Sequence, residues 1–360
     1  MVTKMTLENL HTLQTHFPKG MDAVLLTSEM HQFYMTGFHI EDGYVVILRD
    51  RAYVFVDFRY IEAAQAEIDT TAFTIHMNTS LDFIRDTLSA AGVKTVGFED
   101  RFVTVSALER YRQVFADSFT LVPIGGLLED QRTIKTEYEL EMIKKAQEIG
   151  DAAFTHILGF ITPERTETEI ALELEYFMRK LGASGTSFST ICISGTATSL
   201  PHGEPKNRTI EKGFITMDFG CIYRGYCSDM TRTVAVGEVT QEMKDVYSTV
   251  LAAQRAVLDV IDWHSDCGEM DRIAREIIDR AGYRGAFGHS LGHGVGLYIH
   301  EQPRLHSGCK GSLLENGHVV TVEPGIYLNG KFGVRIEDMV IIHHNRAEDI
   351  THSQKNLIVL

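Results

Sequence analysis

The chain alternates short apolar runs with stretches of amphipathic, helical spacing. Ala23 to Leu26 reads as a short strand, and Tyr44 to Leu48 with Ala52 to Val56 as a hairpin turning at Arg49-Asp50-Arg51. Apolar positions three and four apart predict helices over Tyr60 to Ile68, over Leu81 to Ala91 with a stop at Gly92, and over Ser106 to Phe115. Val93 to Phe98 is a further strand. These elements predict a mixed α/β domain.

A break at Pro123-Ile124-Gly125-Gly126 precedes a change of pattern. Thr136-Glu137-Tyr138-Glu139 has the form of a capping box, in which the Thr hydroxyl takes the N3 amide and the Glu reaches back. It predicts a helix to about Leu158. Pro163 and a second box, Thr166-Glu167-Thr168-Glu169, open another that closes near Gly182. Helices over Gln241 to Asp262 and Met270 to Ala281 follow. The domain boundary is set near residue 130, giving a first domain over 1–130 and a second over 131–360.

Within the second domain the pattern repeats. Glu211-Lys212-Gly213-Phe214-Ile215-Thr216-Met217-Asp218 parallels Glu315-Asn316-Gly317-His318-Val319-Val320-Thr321-Val322-Glu323. Each is a turn and then a strand ending in a carboxylate, and each is followed by a return strand bearing a second carboxylate, Asp229 or Glu337. Period two puts Thr216 with Asp218 on one face, Asp229 with Thr231 and Thr233, Thr321 with Glu323, and Arg335 with Glu337. Two such hairpins facing each other would bring four carboxylates together.

Composition narrows the partners. With 34 Lys and Arg against 49 Asp and Glu the formal charge is −15. A nucleic-acid surface needs a clustered basic face, so no nucleic-acid partner is expected. The longest apolar runs are strand-sized, so no membrane span is expected either. The stretch from Met1 to Asn9 has no apolar segment of a secretory signal, and five cysteines without a C-x-x-C pair read as free thiols. Both point to a cytoplasmic protein.

The acidic residues inside apolar strands carry the chemistry. A buried carboxylate is costly unless paired or metal-bound. Beside the four lies Gly288-His289-Ser290-Leu291-Gly292-His293-Gly294-Val295-Gly296, and twelve of the thirty glycines fall between Gly282 and Gly333. Carboxylates with one imidazole suit Mn²⁺, Co²⁺, Fe²⁺ or Zn²⁺. Four carboxylates balance two divalent ions, which together would acidify a water for metal-assisted hydrolysis. Four of the seven prolines (Pro201, Pro205, Pro303, Pro324) lie beside these motifs.

The ordered set Pro201-His202-Gly203, Met217-Asp218-Phe219-Gly220, Ser228-Asp229-Met230-Thr231-Arg232-Thr233, the glycine and histidine loop, His300-Glu301-Gln302-Pro303, Glu323-Pro324-Gly325 and Gly333-Val334-Arg335-Ile336-Glu337-Asp338 resembles the proline-specific pita-bread metallopeptidases, aminopeptidase P and prolidase. The resemblance covers the chain, with Tyr34 to Phe38 and Phe58 to Tyr60 echoing a creatinase-like N-terminal domain. It implies an α/β (α+β) fold: a creatinase-like mixed α/β domain, then a pita-bread catalytic domain with pseudo-twofold β-hairpins.

The resemblance also implies roles. Asp218, Asp229, His293, Glu323 and Glu337 would be ligands of two divalent ions, Mn²⁺ first among them, with Asp229 and Glu337 bridging. Glu323 would be the general base. His202 and His300 would contact substrate and stabilise the transition state, His289 would be a further pocket histidine, and Arg335 would orient a metal carboxylate. The implied activity is hydrolysis of the Xaa-Pro bond, as a dipeptidase (prolidase) or, alternatively, as an aminopeptidase P on longer peptides. Proline-containing peptides are the substrate partners. A homodimer is implied, with the first domain serving dimerisation and substrate gating through Gly37 to Tyr44. Creatinase-type chemistry lacks this ligand set, methionine aminopeptidases usually lack the N-terminal domain, and a non-catalytic pita-bread binding protein is the remote alternative.

Overall fold

The computed structural model describes residues 2–360, with side chains from Thr6 onward. Met1, with which the expected first domain begins, lies outside the described residues. The chain forms two compact units, one up to Gln131 and one from Arg132 to Leu360.

The first unit is a six-stranded sheet with helices: α1 (Val2–Thr15), β1 (Ala23–Leu26), α2 (Glu29–Thr36), β2 (Gly43–Leu48), β3 (Ala52–Val56), α3 (Ile61–Glu67), β4 (Phe73–Met77), α4 (Leu81–Ala90), β5 (Thr95–Phe98), α5 (Val105–Phe115) and β6 (Thr120–Pro123). The order is β4-β3-β2-β1-β5-β6, antiparallel through β1, β2 and β3 and parallel at both flanks. All four residues of β1 are buried, which is why it is an unbroken apolar run. The periodicity missed α2, because His31, Gln32 and Thr36 are buried with Phe33, Tyr34 and Met35 and no polar stripe remains. His31 is held by Glu99, Nδ1 to Oε1 at 2.5 Å, while Glu99 also takes the amides of Thr27 and Ser28. His39 stacks on Phe33 and His76 on Phe55, so these histidines pack.

After α6 (Leu127–Thr133), the second unit is built twice over. Its first half comprises α7 (Glu137–Ile157), α8 (Glu167–Lys180), β7 (Gly185–Thr186), β8 (Ile191–Ser194), β9 (Gly213–Phe219), β10 (Cys221–Tyr223), β11 (Tyr226–Cys227) and β12 (Met230–Val236). The second comprises α9 (Gln241–Leu258), α10 (Cys267–Arg280), β13 (Gly292–Gly294), β14 (Glu301–Leu305), β15 (Val319–Val322), β16 (Gly325–Leu328), β17 (Phe332–Arg335), β18 (Asp338–His343) and β19 (Arg346–Asp349). In both halves a helix pair is followed by two antiparallel strands, β9 with β12 and β15 with β18, joined through a small inner hairpin.

The repeat extends beyond the hairpins read from sequence. Thr166, the N-cap of α8, bridges Thr209 just before β9, and Asp266, the N-cap of α10, bridges Leu313 just before β15. Both expected capping boxes form, on α7 and α8, where such a cap contributes about 1 kcal/mol. Each half has its own core. Phe154, Leu174, Met217 and Val234 lie in one, and Val246, Val250, Val320 and Ile342 in the other. Leu174 is fully buried on α8, and truncating it to alanine would cost about 2–5 kcal/mol.

Candidate metal centre and substrate cavity

The two strand pairs end at one place. Asp218 is the penultimate residue of β9, opposite Thr231 on β12, and Asp229 immediately precedes β12. Glu323 immediately follows β15 and Glu337 immediately precedes β18. His293 is the central residue of β13, which lies between β14 and β15. Glycine is required on both sides of it. A Cβ on Gly292 would lie 1.9 Å from the Thr321 carbonyl oxygen, and one on Gly294 2.2 Å from that of Gln302. The dense glycines therefore serve a close approach of strands that delivers one imidazole.

One ligand atom each of Asp229, His293 and Glu337 lies within 4.8 Å of the others. The His293 Nδ1 faces the Gly294 carbonyl at 3.1 Å, which can only accept, so Nδ1 carries the hydrogen and Nε2 offers a lone pair. Nε2 lies 3.5 Å from Asp229 Oδ2 and 3.4 Å from Glu323 Oε1. Thr321 donates to Glu323 at 3.2 Å and Thr231 to Glu337 at 2.7 Å.

The electrostatics are those of a site built for cations. Burial, with repulsion from Asp218 and Glu323, holds the Asp229 carboxyl well above the usual range. Burial pushes Glu323 up to about 8 against the pull of Arg335, and raises Glu337 with repulsion from Asp229. Burial lowers His293 to about 3, keeping it neutral. The Oδ1 of Asp218 is buried and meets no hydrogen-bond donor among the described residues. Crowded carboxylates with an orphaned oxygen and a neutral imidazole are the donor set that hard to borderline divalent ions take. The residues fit such ions.

A cavity of about 970 Å³ opens over this cluster. All the sequence-derived site residues line it: His202, Asp218, Asp229, His289, His293, His300, Glu323, Arg335 and Glu337. His300 sets its ring edge-to-face against His293, with centroids 4.5 Å apart, and burial lowers its pKa. His289 is more constrained than its expected role suggests. Its Nδ1 faces the Ser290 carbonyl at 2.9 Å, so its Nε2 must accept from the Tyr327 hydroxyl at 2.9 Å. Burial lowers its pKa to about 4.

Arg335 requires a correction. Period two placed it with Glu337 on one strand face, where it would orient that carboxylate. In the structure β17 ends at Arg335 and β18 begins at Asp338, so the two residues flank a change of pairing partner. The guanidinium instead donates to Asp218 Oδ2 at 2.6 Å, to the Tyr327 hydroxyl at 2.8 Å and to the Thr231 hydroxyl at 3.0 Å. It orients Asp218, and Thr231 orients Glu337.

Sequence reasoning gave no role to Tyr327, Thr231, Thr321 or Arg304. The threonines share strand faces with the carboxylates, which was a usable signal. Tyr327 had none, because its contact with His289 crosses between elements. Arg304 follows His300 by four residues, lines the cavity, and its charge pulls down on the Glu323 carboxyl.

Residues 141–344 match Metallopeptidase family M24, and residues 13–134 match the Creatinase/Prolidase N-terminal domain. The chain belongs to metallopeptidase family M24. It is 42% identical over 357 residues to the uncharacterized peptidase YqhT of Bacillus subtilis, covering 99% of this chain and 100% of that one. The solved structure of an Xaa-Pro dipeptidase from Bacillus anthracis superposes with a TM-score of 0.92 at 41% identity, covering 99% of this chain and 100% of that one. An X-Pro aminopeptidase from Thermotoga maritima gives 0.89 at 36%, covering 95% and 98%. This M24 member thus carries the pita-bread fold behind a creatinase-type domain. No helix among its described residues is long and apolar enough to cross a membrane.

Proposed function

We propose that this M24 peptidase is an Xaa-Pro dipeptidase, hydrolysing the bond before the proline of a dipeptide. The observation that carries this reading is that Asp218, Asp229, His293, Glu323 and Glu337 line one cavity together with Arg304, and that Asp229, His293 and Glu337 bring one ligand atom each within 4.8 Å of the others. We assign Asp229 and Glu337 as bridging ligands of two divalent ions, Asp218 to one site, and His293 with Glu323 to the other. Mn²⁺ is the first candidate, with Co²⁺, Zn²⁺ or Fe²⁺ as alternatives. Two such ions, when bound, supply positive charge for the scissile carbonyl and lower the pKa of a water.

The chain's own residues supply the rest. Glu323, aligned by the Thr321 hydroxyl, takes the proton of the attacking water as general base. An Xaa-Pro bond has no N–H and its nitrogen is hindered, so the leaving nitrogen needs a proton and a fixed position. His202 and His300, which line the cavity, are assigned to the carbonyl and that nitrogen. Tyr327 closes the lone pair of His289, so His289 shapes the pocket. Arg304, which lines the cavity, is assigned to the terminal carboxylate of a dipeptide, held by a charge-assisted hydrogen bond.

The chain is read as a cytoplasmic homodimer in which residues 1–130 serve dimerisation and residues 131–360 catalysis, with Gly37–Tyr44 as the candidate gating contact. All five cysteines are free, in keeping with a reducing compartment.

The likeness to the Thermotoga maritima X-Pro aminopeptidase favours one second reading, an aminopeptidase P acting on longer peptides. The deciding experiment is turnover of Met-Pro beside Met-Pro tripeptides and longer peptides, on metal-stripped protein and after Mn²⁺ is restored. Metal-dependent cleavage of the dipeptide alone is expected. Efficient cleavage of the longer peptides would establish the second reading, and no cleavage of either with both ions bound would leave a binding protein.

A further inference from the structure

Arg232 is a fully buried side chain, among the largest of the described residues, and does not line the cavity over the carboxylate cluster. Guanidinium has five N–H donors, and here each has an acceptor. Nη1 donates to the carbonyl oxygens of Thr231 at 3.0 Å and Glu337 at 2.6 Å. Nη2 donates to Asp338 Oδ1 at 2.7 Å and the Ser353 carbonyl at 2.8 Å, and Nε to the Gln354 carbonyl at 3.2 Å. One planar group therefore joins three segments: β12 from the first half, the start of β18 from the second, and the tail after β19.

We infer that Arg232 is a positioning residue that sets the spacing between the Asp229 and Glu337 segments, and that the tail from His352 to Gln354 is a working part of this clamp. This rests on the metal assignment made above. Asp229 lies three residues before Arg232, and Glu337 is the residue whose own carbonyl the guanidinium holds. The amide of Glu337 in turn donates to the Thr231 carbonyl at 3.1 Å, so both main-chain polar groups of that ligand are tied to β12. A lysine at this position could not reproduce the fork, because ammonium is a point donor on a flexible stem.

The tail is pinned from outside. Asp151 on α7 takes the amide of His352 at 3.0 Å and, on Oδ1, the amide and hydroxyl of Ser353 at 2.8 and 2.5 Å. Asp151 lines no part of the cavity, and its hydrogen bonds to the tail are the route by which its loss would reach Arg232.

The test is Mn²⁺ titration of metal-stripped full-length protein by calorimetry, with circular dichroism and thermal unfolding alongside. The wild type, Arg232→Lys, Asp151→Ala, Asp151→Asn and, as a destabilised control, Leu174→Ala are compared. Groups that orient metal ligands typically contribute 10–100-fold to affinity. Arg232→Lys should weaken at least one ion by about that factor, and Asp151→Ala by less. Asp151→Asn keeps Oδ1 and should recover most of the loss, while Leu174→Ala should unfold earlier yet bind as the wild type does. Wild-type affinity in Asp151→Ala and in folded Arg232→Lys overturns the inference, as does equal weakening in Leu174→Ala. If Arg232→Lys does not fold, the Asp151 pair decides alone. A wild type that binds no Mn²⁺ would instead overturn the metal assignment, and with it the clamp's role.

Discussion

Arg335 Nη2 donates to Asp218 Oδ2 at 2.6 Å, linking the inner hairpin of the second half to the β9 carboxylate of the first. The same guanidinium holds Tyr327, and Tyr327 holds His289. Arg335→Lys keeps the charge but loses the fork. Metal affinity at the Asp218 site should fall about 10–100-fold, measured by titration, and the pH profile of turnover should shift because His289 loses the set direction of Tyr327. A variant with unchanged affinity and profile would reduce Arg335 to packing.

Glu323→Gln keeps the shape and removes the base. Turnover of Met-Pro should fall by roughly 10²–10⁴-fold, the usual contribution of a positioned base, while circular dichroism stays that of the wild type. Near-normal turnover would sink the assignment of Glu323.

His293→Ala removes the imidazole among the five assigned ligands. Elemental analysis should find fewer than two ions per chain after equilibration with Mn²⁺ and desalting. Full loading would count against His293 as a ligand.

Arg304→Ala should raise KM for Met-Pro by roughly 10–100-fold, the range set by losing a charge-assisted hydrogen bond, with a much smaller change for longer peptides. An equal change for both would mean that Arg304 does not read the terminal carboxylate.

The metal-free chain should show an inverted pH response. The Glu323 carboxyl is raised to about 8, and Asp229 and Glu337 are raised too, so the folded state holds protons that the unfolded state has released. Their contribution to stability is present at low pH and is lost as pH climbs toward 8. His293 and His289, lowered to about 3 and about 4, act oppositely and have saturated above the ordinary histidine value of about 6.5. Between about pH 6.5 and 8 the carboxylates act alone. Thermal unfolding of the metal-free protein should therefore move to lower temperature across that window, and Mn²⁺ should abolish the trend. A melting temperature that rises with pH there would contradict the burial of unpaired acids.

Much of the candidate site was legible because acids placed beside apolar strands betray themselves. Asp229, Glu323 and Glu337 stand out as acids beside apolar strands, and the turn-strand-carboxylate pattern recurs. The capping boxes at Thr136 and Thr166 were equally plain, since they depend only on residues three apart. What sequence could not reach was side-chain direction across breaks in pairing. Arg335 and Glu337 look like neighbours on one strand until the pairing partner changes between them. The helix α2 was hidden by burial on all sides, and Arg232 by making every contact outside the cavity. The duplication of the helix pairs was missed because a cap written with Thr166 in one half is written with Asp266 in the other.

That duplication has a consequence for how the molecule matures. On the proposed ligand assignment the first half contributes Asp218 and Asp229, the second His293, Glu323 and Glu337, and neither copy would hold a coordination shell of its own. Tight capture of two ions thus presupposes that both copies have folded and met in register. The ions would then act as a proofreader of assembly, stabilising only those molecules whose two copies have already found each other.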